Sequence, residues 1–120
     1  MRNVLSGLTA LLLLSVIAAP EVRAQGTGDA KAQVEFGITV AQRGLWKEAL
    51  YRWQRAVELD PSYAAAWNNL AIAYEHEGNL DQARQAYEKA VSLDPKNLYI
   101  KQNYELFKEI NDRANRPADR

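Results

Sequence analysis

The chain has 120 residues, no cysteine, zero formal net charge and 48% hydrophobic residues, which fits one small globular domain. Its Lys and Arg are interleaved with Glu and Asp, so the clustered positive charge that drives sequence-independent nucleic-acid binding is missing. With no cysteine, no disulfide can support the fold, and packing must hold it alone.

Residues 1–24 distort that composition. They have a basic start at Arg2, an uncharged apolar run from Val4 to Ala19, and small or apolar residues at Val22 and Ala24 ahead of Gln25. The pattern predicts a secretory signal peptide cut after Ala24. The alternative is an uncleaved anchor, because the charge-free span Asn3–Pro20 is just long enough to cross a bilayer. Ser6, Gly7, Thr9 and Ser15 weaken that span and favour removal. Removal takes away Arg2, Glu21 and Arg23, and leaves 13 basic and 14 acidic residues. A periplasmic or secreted protein without stable membrane insertion is the expectation.

Gln25–Asp29 reads as a short flexible lead-in. From Ala30 to about Arg43 the apolar spacing predicts a helix with Phe36, Gly37 and Val40 on its inner face. Gly44 ends it, because glycine enters the left-handed turn without a Cβ penalty. A second helix over about 47–59 directs Ala49, Trp53, Ala56 and Val57 back onto the first. Asp60-Pro61 then marks a boundary, with the aspartate as an expected N-cap and the proline where its missing N–H costs nothing.

The next 34 residues repeat this unit. Ala30, Ala32, Ile38, Gly44, Ala49, Ala56, Val57, Leu59, Asp60 and Pro61 are each identical to the residue 34 further on, so residues 30–63 and 64–97 form two copies of one element. The second copy carries Trp67, Leu70-Ala71, Tyr74, Ala83, Tyr87, Ala90 and Pro95, and in these residues the chain resembles the tetratricopeptide repeat family. The first copy departs from the family pattern at Gln33 and Val40, where an aromatic is usual. It keeps Phe36-Gly37, Gly44, Ala49, Trp53, Ala56 and Pro61. The resemblance implies an all-α solenoid of tandem helix-turn-helix repeats.

Residues 98–113 keep the helical period, with Ile100, Tyr104 and Phe107 on one stripe and Tyr99, Leu106 and Ile110 on another. They read as the capping helix that closes a two-repeat stack, and residues 114–120 read as a disordered tail.

Catalysis finds little support in the composition. His76 is the only histidine, and beyond the leader the only serines are Ser62 and Ser92. Neither a nucleophile triad nor a zinc site with nitrogen and sulfur ligands can be assembled. Glu75, Glu77 and Asp81 lie near His76 in sequence, but they surround the glycine turn at Gly78, where charged residues are usual. Trp46, Trp53, Trp67, Tyr74 and Tyr87 are spaced as core rather than as a cofactor box. No cofactor and no metal are expected.

By resemblance, the first helix of each repeat lines a concave groove that holds a peptide or helix of a protein partner. That implies Val34, Ile38 and Gln42 from the first unit and Asn68, Asn69, Ile72 and His76 from the second. The final helix would add Tyr99, Gln102, Asn103, Leu106 and Ile110, with Asn69 and Asn103 hydrogen-bonding the bound backbone. Some family members grip acidic C-terminal tails with Lys, Asn, Asn, Lys and Arg; here Val34, Ile38, Asn69, Tyr99 and Asn103 take those places, and only Asn69 agrees. The expected function is an adaptor or scaffold with an apolar partner. The alternative is a self-associating unit whose apolar grooves pair in a homodimer.

Overall fold

A computed structural model describes residues 21–117, with side chains from Gly28 onward. Five helices follow one another: α1 (Glu21–Gln42), α2 (Trp46–Leu59), α3 (Ala64–His76), α4 (Leu80–Leu93) and α5 (Leu98–Ala114). No strand occurs among the described residues. The 34-residue period governs the boundaries: α2 and α4 start and stop 34 residues apart, and so do the starts of α3 and α5. Helices pack against their neighbours in sequence, and α1, α3 and α5 also touch in series on one side. This is the expected all-α stack of helical hairpins. Most of the proposed signal peptide and the end of the tail lie outside the described residues.

The two glycine turns form as expected. Gly44 and Gly78 have φ of +79° and +77°. Gly44 N–H donates to the Ala41 carbonyl at 2.9 Å and Leu45 N–H to the Val40 carbonyl at 3.0 Å, which satisfies the carbonyls left free at the end of α1.

Close approach inside the hairpin depends on small residues. The Trp53 indole lies over Gly37 and donates from Nε1 to the Val34 carbonyl at 3.1 Å. Ala49 and Ala56 are fully buried beside it. Trp53, Val34, Val40, Ala66, Leu70 and Ala73 continue this core into the second repeat. A second cluster of Ala71, Ala83, Ala86, Tyr87 and Phe107 joins α3, α4 and α5.

Three expectations need correction. Gln25–Asp29 lies within α1, which is described from Glu21 onward. Once the packed part of the helix is nucleated, each added residue gains a hydrogen bond, and no proline intervenes before Glu21. Phe36 is not on the inner face; it is 46% exposed. Its counterpart Leu70 is 3% exposed because α2 precedes α3, whereas among the described residues no helix stands before α1. The Arg52 guanidinium covers the Phe36 ring instead, 4.5 Å from its centroid.

Asp60, the expected N-cap, is the C-cap of α2. Its Oδ1 accepts from Ser62 N–H at 3.1 Å and Ser62 Oγ at 2.7 Å, and its carbonyl accepts from Tyr63 N–H at 3.2 Å. Pro61 therefore occupies the second position of a β-turn, where its fixed φ fits. At the next boundary Asp94 also caps α4 at its C-terminus. The N-cap of α5 is Asn97, whose Oδ1 accepts from Ile100 N–H at 3.2 Å.

α5 closes the stack as expected of a capping helix. Ile100 and Phe107 are buried against the preceding hairpin. Ala71, which is fully buried, is replaced one period later by Glu105, which is exposed because among the described residues no helix packs on that side of α5. The proposed tail begins with Ala114 still in α5, followed by a turn at residues 115–116.

Candidate functional site: the surface across α1, α3 and α5

Because α1, α3 and α5 share one register, side chains 34 residues apart line up in rows across the three helices. One row is Lys31, Ala65 and Tyr99; the next is Glu35, Asn69 and Asn103; the third is Ile38, Ile72 and Leu106; the fourth is Gln42, His76 and Ile110. The third row is apolar throughout. Ile38 and Leu106 are exposed and Ile72 is half-buried. Beside this row lies a hollow of about 320 Å³ bordered by Val34, Ile38, Tyr63, Asn69, Asn97 and Tyr99, among others, so it touches all three helices. A second hollow adjoins Ile72, Glu75 and His76.

Most residues expected in the groove reach this surface; two sit beneath it. Val34 is 4% exposed and belongs to the core. Asn68 is 2% exposed, and its Oδ1 accepts from Asn103 Nδ2 at 3.1 Å. This amide pair ties α3 to α5 and takes one of the donors that Asn103 was expected to offer a bound backbone. Asn69 stands half-buried in the larger hollow. Gln42, Tyr99, Gln102 and Ile110 are exposed.

The charged groups near His76 do not converge on it. Its ring stacks on Trp46 with centroids 3.9 Å apart and planes inclined by 16°. Glu75 Oε2 accepts from the Tyr87 hydroxyl at 2.8 Å. Glu75 thus serves the hairpin, and an acid–base pair with His76 is not formed. The Trp46–His76 stack joins the start of α2 to the end of α3, a contact the sequence reading did not anticipate. Its signal is topological: antiparallel packing of α2 on α3 brings those two ends together.

Burial, reinforced by the hydrogen bond to Glu75 and that carboxylate's charge, raises the Tyr87 hydroxyl pKa well above its usual range. A pKa raised in the folded state stabilises the fold fully below the unfolded value of about 10 and progressively less above it. Between pH 10 and pH 11 the chain is expected to lose about 1 kcal/mol through Tyr87 alone. Urea unfolding at pH 9 and 11 should show a smaller alkaline loss for Tyr87→Phe than for the unmodified chain. Equal losses would show that the Tyr87–Glu75 contact does not couple to folding.

Comparisons with known proteins agree with this geometry. A family model described as tetratricopeptide repeat matches residues 34–97. The chain is 30% identical over 74 residues to the tetratricopeptide repeat domain-containing protein PYG7, chloroplastic, of Arabidopsis thaliana, covering 62% of this chain and 25% of that one. It is 33% identical over 73 residues to the type IV pilus assembly protein PilF of Pseudomonas aeruginosa, covering 61% of this chain and 29% of that one. The crystal structure of MamA superposes with a TM-score of 0.65 at 30% identity, covering 72% of this chain and 50% of that one. The chain thus spans less than a third of the length of these curated relatives.

Proposed function

The chain belongs to the tetratricopeptide repeat family, a family of protein–protein interaction modules, and from that premise we propose that it is an exported, non-catalytic adaptor that binds an apolar segment of another protein across α1, α3 and α5. The observation that carries this reading is the apolar row of Ile38, Ile72 and Leu106, exposed on α1 and α5 and half-buried on α3. A soluble chain keeps such a row exposed at a cost unless something is bound there. Arg2, the apolar run 4–19 and Ala24 support export. Mass spectrometry of the protein recovered after expression in a bacterium would test that part: a chain starting at Gln25 supports it, and an intact N-terminus overturns it.

Selection from a displayed random-peptide library tests the binding surface. Selected peptides should lose at least about ten-fold in affinity for Ile72→Asp, while circular dichroism shows the helices of the variant intact. Peptides that bind the variant equally well would place recognition elsewhere.

One observation favours a second reading. Leu98, Tyr99, Leu106 and Ile110 on α5 are each more than half exposed, which suits pairing of two copies. Light scattering over a range of concentrations separates the two: a dimer dispersed by Ile72→Asp favours self-association, and a monomer throughout favours the adaptor.

A further inference from the structure

We infer a second docking face, in front of α1, whose occupant is an amphipathic helix of a partner protein with two apolar side chains seven residues apart and a carboxylate between them. Phe36 and Ile38 are two residues apart and so lie about 200° apart around α1, which separates this face from the surface across α1, α3 and α5. Either site can fail without the other.

The first support is the repeat, which shows what covers the same place one period later. Leu70, the counterpart of Phe36, is buried because α2 packs in front of α3. α2 brings Leu50 and Val57, seven residues apart, onto the core that holds Leu70, and between them Gln54 Nε2 donates to the Tyr74 hydroxyl at 3.3 Å. A helix is thus the shape this position receives. Among the described residues none stands before α1, and Phe36 remains nearly half exposed.

The second support is composition. The Arg52 guanidinium carbon lies 4.5 Å from the ring centroid of Phe36 and 5.4 Å from that of Tyr51, which is itself more than half exposed. In the second repeat the counterparts of Tyr51 and Arg52 are Gln85 and Ala86, which border a hollow of about 290 Å³ together with Leu70 and Tyr74. Aromatic side chains and arginine are the residues enriched at the centres of protein–protein interfaces. Here they gather at the end of the stack that lacks its covering helix.

The third support is charge, and it selects the partner. Arg52 gives both Nε and Nη2 to Glu48 Oε1 at 2.8 Å, whereas Nη1 reaches Gln33 Oε1 only at 3.5 Å. A guanidinium fork suits two carboxylate oxygens at once, so an acidic side chain on the incoming helix complements the weakly held nitrogen. Gln54 marks where that side chain belongs on the helix, since its partner Tyr74 borders the same hollow as Ala86, the counterpart of Arg52.

Fluorescence anisotropy with the full chain and two end-blocked, labelled, helix-forming peptides tests this. Both carry leucines seven residues apart on a background of alanine and glutamine; four residues after the first leucine, one has glutamate and the other lysine. The glutamate peptide is expected to bind at least about ten-fold tighter than the lysine peptide, and to weaken by at least as much with Phe36→Ala while circular dichroism shows the helices intact. Arg52→Gln should abolish the preference for glutamate. Equal binding of the two peptides, binding that survives Phe36→Ala, or binding of neither overturns the inference. Loss with Ile72→Asp in place of Phe36→Ala would put the peptide on the other surface, and a dimer that Phe36→Ala disperses would give the face to a second copy; either result also overturns it.

Discussion

Replacing Trp53 by Ala is expected to cost about 3–5 kcal/mol, the range for removing a buried large aromatic. The side chain is almost wholly buried, fills the space between Gly37 and the alanines at 49 and 56, and satisfies the Val34 carbonyl through Nε1. Truncation opens a cavity at the centre of the first hairpin and removes that hydrogen bond. Small domains have only about 5–15 kcal/mol in total, so the variant should unfold at a much lower urea concentration. A loss below about 1 kcal/mol would mean that the hairpin collapses onto the vacancy and that the indole is not its keystone.

Gly37→Ala has the next largest effect, and two opposing terms decide its sign. Alanine gains about 1 kcal/mol over glycine inside a helix. Against that, the added Cβ would lie 2.8 Å from Cδ1 and Cε2 of Trp53 and closer still to Nε1. The indole is itself buried in the core and held by its hydrogen bond to Val34, so overpacking costs about 1–3 kcal/mol and outweighs the propensity gain. In a Trp53→Ala background the obstruction is gone, and the same substitution should become stabilising by up to about 1 kcal/mol. Denaturant unfolding of the four proteins in this cycle checks it. Simple additivity would mean that the two residues do not press on one another.

Much of this architecture can be read from spacing, because a repeat displays each structural decision twice. Gly44 and Gly78 mark the turns, the alanines at 49, 56, 83 and 90 mark close helix contacts, and the period places α2 and α4 in register. What spacing cannot convey is where a stack ends. Phe36 and Leu70 occupy the same place in the repeat, yet one is exposed and the other buried, since among the described residues only the second has a helix in front of it. The Asp60 side chain also departs from its expected role: aspartate before proline suits both an N-cap and a turn, and the residues after the proline decide which.

The surface across α1, α3 and α5 was legible in outline and not in depth. Ile38 and Ile72 are identical across the repeat and lie on the open surface. Val34 and Asn68 share one repeat position too, and both are buried, although one is apolar and the other polar. Asn68 is buried because Asn103, on α5, supplies its partner. A polar pair joining adjacent helices leaves no periodic trace that would announce it.

The packing of each helix almost entirely against its sequence neighbours bears on how the chain reaches this structure. Few contacts have to wait for distant segments to meet, so little loop-closure entropy is spent before contacts are gained. Chains with such local topology fold in roughly microseconds to milliseconds. Either hairpin can form first and template the other. A chain emerging from its N-terminal end can therefore complete α1 and α2 while α5 is still unsynthesised, with Trp53 already seated on Gly37 before the capping helix exists.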